Sequence, residues 1–173
     1  MIVRLVKTLM VLTMFNLANA ESLTPGQLAP DFELIDQSGN VHSLQKYRGQ
    51  WVILYFYPKN DTPGCTKEAC AFRDEYKTIT AKNAQVLGVS VDDQDSHKKF
   101  TEKYSLPFPL LADTDGEVAK QYGSLRSLGF IKLAKRHSFI INPEGEIAVI
   151  YRDVNPDNHS QEVLDDIGRL QSS

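Results

Sequence analysis

Two residues hold all the thiol chemistry available to this chain, Cys65 and Cys70. Cys65 follows Pro58-Lys59-Asn60-Asp61-Thr62-Pro63-Gly64, a loop by composition. From Cys65 the pattern turns helical, with Ala69, Phe72, Tyr76 and Ile79 on one face. A cysteine so placed lies in the first turn of a helix. Unpaired backbone N–H groups and the helix dipole favour negative charge there. Thiolate is the nucleophilic form of cysteine, so the position suits a reactive one. The plainer reading is a small buried residue that begins a helix. Thr62, three residues earlier, can present a hydroxyl that both donates and accepts in the same pocket, or serve only as a turn or cap. Pro58 and Pro63 stiffen the loop and withdraw two backbone donors.

Cys70 follows five residues on in the same helix. At that spacing the two residues differ by about 140° and are about 8–9 Å apart between Cα atoms. A disulfide needs less than about 7 Å. Either Cys70 is a passive core residue, or the turn unwinds and the sulfurs meet in a redox-driven step with Cys70 as the resolving thiol. A static structural disulfide fits poorly. The spacing also lacks the C-x-x-C of a plain exchange motif.

The surrounding elements must hold this loop. Phe32 to Ile35 and Val41 to Leu44 read as a hairpin around the turn Asp36 to Asn40. Trp51 to Tyr57 is apolar throughout, as a strand buried on both faces should be, and Pro58 ends it. Val86 to Val91 is the next buried strand. Asp95-Ser96 looks like the cap of a helix to Tyr104, followed by a short extended piece over Pro107 to Ala112. Gly116 to Tyr122 reads as a helix. Ser138 to Ile141 and Ile147 to Tyr151 form a second hairpin across Asn142 to Gly145, expected to supply antiparallel edge strands. Asp157 to Leu170 is the last helix. This order implies one α/β domain, a central mixed sheet with helices on both faces and an N-terminal β-hairpin extension, compatible with a thioredoxin-like fold.

Composition narrows the function classes. The chain has 173 residues, 42% hydrophobic and 24% charged, with a net charge of -3. Disordered, collagenous and disulfide-scaffold classes are excluded, and no basic excess points to nucleic acid. Residues 1–20 carry Arg4 and Lys7, an apolar run from Leu9 to Leu17 and then Ala18-Asn19-Ala20. That is the pattern of a secretory signal peptide with Glu21 as the first mature residue. It predicts a single domain over 21–173, exported and, in a bacterium, periplasmic, with no stable membrane association after cleavage. Trp51 reads as core, and His97 and His159 as surface. His42 reads as exposed in the hairpin.

The run Tyr55-Phe-Tyr-Pro-Lys-Asn-Asp-Thr-Pro-Gly-Cys65-Thr-Lys-Glu-Ala-Cys70-Ala-Phe-Arg-Asp74 resembles the peroxiredoxins, specifically the bacterioferritin comigratory protein or peroxiredoxin Q group. Pro58, Thr62 and Cys65 are in register with the signature Pro-x-x-x-Thr-x-x-Cys, and Cys70 matches the group's second cysteine. Arg136, just before a strand, is similar in context to the family's distant arginine. The similarity runs from about Leu23 to the end of the last helix. It implies a thioredoxin-like peroxidase in which Cys65 reduces hydrogen peroxide or an organic hydroperoxide and passes through a sulfenic acid. Cys70 then resolves it within one subunit, and thioredoxin or a thioredoxin-like protein reduces the disulfide. Thr62 and Arg136 would hold the peroxide oxygens and stabilise charge. No metal, flavin or haem is implied, and an intramolecular bridge makes a monomer the simplest expectation. Glu68, in the same helix, either orients that network or is a solvated helix residue. His137 should face away from Arg136 across the strand. Two rivals stand beside this reading: a thiol–disulfide oxidoreductase, and a copper chaperone using both cysteines with His137.

Overall fold

A computed structural model describes residues 22–172. The expected leader, residues 1–20, lies outside the described residues. A small hairpin opens the fold, β1 (Glu33–Ile35) against β2 (Val41–Ser43). The Asp36 carboxylate closes its turn by accepting from the Ser38 and Asn40 N–H groups. A single 3-10 turn, Leu44–Tyr47, leads to β3 (Trp51–Phe56). Then come α1 (Pro63–Asp74), α2 (Tyr76–Ala81), β4 (Ala84–Ser90), α3 (Gln94–Tyr104), β5 (Leu110–Ala112) and α4 (Glu117–Gln121). A second hairpin, β6 (Leu125–Leu128) with β7 (Ile131–Ala134), precedes β8 (His137–Ile141), β9 (Ile147–Tyr151) and α5 (His159–Leu170).

The main sheet runs β5-β4-β3-β8-β9. Strands β3, β4 and β5 are parallel; β8 lies antiparallel to β3, and β9 to β8. β3 divides its side chains between two cores. Ile53 and Tyr55, with Tyr57 just beyond the strand, meet Phe72 of α1, Ile79 of α2, Phe100 of α3 and Val163 and Ile167 of α5. Val52, Leu54 and Phe56 meet Val118 and Ala119 of α4 and Phe32 and Leu44 of the N-terminal segment. Helices therefore cover both faces, four on one and one on the other. Each fully buried Phe or Leu here contributes roughly 1.5–3 kcal/mol by leaving water. Trp51 is only partly buried, packed at the border of the first core.

Four features differ from expectation. Of the β8–β9 hairpin only β9 is an edge strand; β8 sits inside, because His-Ser-Phe-Ile-Ile is buried along its whole length and needs a neighbour on each side. The hairpin β6–β7 is additional: it stands outside the main sheet, so no long apolar run announces it. Gly129, at φ +60°, opens its two-residue turn where a side chain would be strained. The expected single run of helix from Cys65 to Ile79 is broken at Glu75 (φ -90°, ψ 0°), which caps α1 and precedes α2. The α3 cap is Asp93, whose carboxylate accepts from Ser96 N at 2.8 Å, not the expected Asp95-Ser96. Among the described residues no helix is long and apolar enough to cross a membrane.

Candidate functional site

The site forms where β3 ends and α1 begins. α1 starts at Pro63, two residues before the sequence pattern suggested, since proline's fixed φ and missing N–H suit the first helical position. Thr62 is the N-cap, in extended conformation, and its carbonyl accepts from Thr66 N at 2.8 Å. Cys65 is thereby the third helical residue, among the backbone N–H groups that no helical carbonyl satisfies. It is 1% exposed. The Thr62 hydroxyl donates to the Lys59 carbonyl at 3.1 Å and so braces the loop. Pro58 is half-buried at the end of β3. Asp61, at φ 59°, takes a left-handed conformation, held by Lys103 Nζ and Tyr104 Oη donating to its carboxylate at 2.7 Å.

Arg136 reaches Cys65 from one residue before β8. Its Nη2 donates to Cys65 Sγ at 3.2 Å, and its Nη1 donates to Glu68 Oε2. Gly64 permits this approach, since a Cβ there would lie 3.2 Å from Arg136 Nη2. Glu68, one turn along α1 from Cys65, is 1% exposed. It is therefore no solvated helix residue: it anchors the guanidinium. Burial pushes its carboxyl up to about 7, against the opposing pull of Arg136. Its Oε1 and the hydroxyl of Tyr55 are buried without a hydrogen-bond partner among the described residues.

Cys70 lies half-buried on the intact α1, and both cysteines are free thiols. His137 points away from Arg136, as the strand alternation requires. Its Nδ1 lies 3.0 Å from Ser124 Oγ and 2.9 Å from Arg152 Nη1. Burial and the nearby cations press it down to about 4. The structure thus gathers Cys65, Glu68 and Arg136 but leaves His137 out. The three donors of the copper reading are not brought together.

A second cluster was not read from the sequence. His97, expected at the surface, is fully buried. Its Nε2 faces the Leu111 carbonyl at 3.2 Å, and its Nδ1 lies 3.1 Å from Asn60 Nδ2 and 3.3 Å from Tyr57 Oη. Asn60 also accepts from Tyr57 Oη at 2.7 Å, donates to Ser96 Oγ at 2.9 Å, and gives its backbone N–H to Asp92 at 2.8 Å. This network ties the loop to α3 and β4. His159, likewise expected at the surface, is fully buried, with Nε2 at 2.8 Å from Ser138 Oγ. Burial lowers both histidines and keeps them neutral. The signal was present: His97, Phe100 and Tyr104 share one helical face, as do His159, Val163 and Ile167. His42 is half-buried, stacked on Tyr47 and 2.9 Å from Asp36.

Fold and site together define a thioredoxin-like domain built around a buried helix-start thiol beneath a guanidinium. The chain belongs to the AhpC/TSA family, whose pattern matches residues 25–150, and within it to the peroxiredoxin Q or bacterioferritin comigratory protein group. It is 44% identical over 140 residues to chloroplastic peroxiredoxin Q of Populus jackii, covering 80% of this chain and 65% of that protein. The chain thus spans slightly less than two thirds of the length of that relative. It is 44% identical over 153 residues to a putative peroxiredoxin bcp of Coxiella burnetii, covering 86% of this chain and 99% of that protein. Bacterioferritin comigratory protein of Xanthomonas campestris, solved in trapped-intermediate and ligand complexes bearing on its alkyl peroxide reduction, matches with a TM-score of 0.79. The two share 28% identity, over 85% of this chain and 99% of that one.

Proposed function

We infer that the protein is a thiol peroxidase. The observation that carries this is the guanidinium of Arg136, 3.2 Å from the sulfur of a cysteine in the first turn of α1, with its other arm fixed by buried Glu68. Membership of the family supports the same reading.

Cys65 attacks, as thiolate, one oxygen of a hydroperoxide. An S–O bond forms, the O–O bond breaks, and the other oxygen leaves as water or an alcohol after taking a proton. A hydroperoxide is uncharged, so in-line placement of its oxygens matters more than charge attraction. Backbone N–H groups at the start of α1 would hold those oxygens, and the Thr62 hydroxyl, which donates to the Lys59 carbonyl, keeps lone pairs with which to accept from the hydroperoxide. Arg136 neutralises the thiolate before attack and the charge passing to the leaving oxygen during it. Its planar fork serves sulfur and carboxylate from two nitrogens in a fixed geometry, which a lysine's single nitrogen does not supply. Pro58 and the braced loop keep these groups in place.

Cys70 then attacks the Cys65 sulfenic acid, an S–S bond forms and water leaves. This requires the first turn of α1 to unwind, since an intact helix holds the residues too far apart. A dithiol of thioredoxin or a thioredoxin-like protein returns both cysteines to thiols by exchange. The intramolecular bridge needs no second subunit, so we assign a monomer. The leader pattern over residues 1–20 supports export, in a bacterium to the periplasm. There the reductant must be a thioredoxin-like protein of that compartment. Mass analysis of the protein recovered from its host would show whether the chain begins at Glu21.

The test is single turnover. Reduced wild type mixed with equimolar hydrogen peroxide should consume it and lose both thiols. Cys65→Ser should do neither, and Cys70→Ser should consume peroxide but stop at an oxidised Cys65. If all three react only as a free thiol does, the peroxidase reading fails.

A further inference from the structure

The β6–β7 hairpin is chemically unlike the rest of the chain. Between Ser124 and Arg136 the sequence carries Arg126, Lys132, Lys135 and Arg136 and no acid, within a protein of net charge -3. The hairpin pairs Leu125 with Ala134, Arg126 with Leu133, Ser127 with Lys132 and Leu128 with Ile131. Leu125 and Ala134 turn inward to the apolar core beneath. By strand alternation Arg126, Leu128, Ile131 and Leu133 turn outward. Leu128 and Ile131 are exposed, and Phe130 at the turn is fully so. Apolar side chains of this size in one exposed patch mark an interaction surface.

We propose that this hairpin tip docks on an anionic lipid surface. The layout fits the depth profile of a bilayer interface. Phe130 and the Leu128–Ile131 rung form an apolar tip about 5 Å deep, and Arg126 stands two rungs, about 7 Å, behind it. An interfacial element buries its apolar part roughly 5–10 Å, with cations at the phosphates. Lys132, one rung behind the tip on the other face, and Lys135, four rungs behind it at the base, are exposed on the same hairpin and add positive charge to its flanks. Lys132 is held there by donating to the Asp115 carbonyl at 2.6 Å. A second protein copy is the poorer occupant, since three side chains cover far less than the roughly 1,200 Å² of a small stable interface. The net acidity of the protein would orient the remaining surface away from anionic lipid, leaving the hairpin foremost. The inference does not depend on the peroxidase reading.

The experiment is vesicle sedimentation with the chain from Glu21 onward, so that residues 1–20 cannot contribute. That part spans 99% of the length of a solved relative. At low salt it should bind vesicles of phosphatidylglycerol mixed with phosphatidylcholine about tenfold more than vesicles of phosphatidylcholine alone. Added salt should weaken the binding. Phe130→Ser should lower binding about tenfold with an unchanged unfolding midpoint, since the side chain makes no core contact. Arg126→Glu with Lys135→Glu should abolish the preference for the anionic vesicles. Absent binding to either vesicle, equal binding to both, or wild-type binding by Phe130→Ser would each overturn the proposal. So would a result in which vesicles bind nothing while Phe130→Ser slows reduction of the oxidised protein by a dithiol protein. That outcome would assign the tip to a protein partner.

Discussion

Two buried polar clusters flank the same loop, residues 57–62, and they are built on opposite principles. Around His97, each buried polar atom of Tyr57, Asn60 and His97 meets a partner, and burial keeps the imidazole uncharged. Around Cys65, a partly exposed guanidinium and a buried carboxyl face each other, and two buried polar atoms, Glu68 Oε1 and Tyr55 Oη, have no partner among the described residues. A satisfied neutral network contributes rigidity at little cost. A buried ion pair with unmet valences is expensive to maintain and contributes little net stability. The loop is therefore held firm from the α3 side and left electrostatically unfinished on the α1 side. Unfinished groups of that kind are what a reacting oxygen can complete.

This contrast makes graded predictions. The largest effect belongs to Arg136→Met, which removes the donor aimed at the Cys65 sulfur. Stopped-flow peroxide consumption should fall about 10²–10³-fold, with any change in the unfolding midpoint too small to account for it. Next, Asn60→Ala should cost about 1–3 kcal/mol in urea unfolding by taking one partner from each of Tyr57, Ser96 and His97, and should slow the reaction far less than Arg136→Met. If Asn60→Ala matched Arg136→Met in rate, the division between the clusters would collapse.

Glu68→Gln sharpens the comparison through pH. A carboxyl raised to about 7 in the folded state stabilises the fold below its ordinary value near 4.5 and loses that contribution as pH rises to about 7. Wild type should therefore lose stability relative to Glu68→Gln across that window, by up to about 1.4 kcal/mol per pH unit. A parallel pair of stability–pH curves would refute the buried ionisation. The smallest effect is Lys67→Ala. It breaks an ion pair with Asp157 whose side chains are each 58% exposed, so unfolding should shift by less than about 0.5 kcal/mol.

Much of this molecule was readable from sequence because its signals are local. Trp51 to Tyr57 announces a central strand, and Cys65 after Pro63-Gly64 announces a helix start. The i+5 spacing of Cys70 excludes a bridge along an intact helix. What escaped is non-local. Glu68 shares the buried face of α1 with Cys65, Ala69 and Phe72, but the partner that makes a buried carboxyl tolerable there, Arg136, is 68 residues away. His97 looked unpartnered because Asn60 and Leu111 reach it only through the fold. The β6–β7 hairpin escaped for a different reason: four-residue strands outside the main sheet carry too little periodicity to stand out from a loop.

The break at Glu75 has a mechanical consequence. α1 and α2 could have been one long rod, and disturbing either end of a rod tilts all of it. Divided at Glu75, the chain has something closer to an expansion joint. The twelve residues of α1 can let out their first turn and take it back while α2, with Ile79 fully buried, keeps its place against the sheet. On the proposed mechanism the distortion would be confined to the segment that carries both sulfurs, and the rest of the domain would not register each turnover.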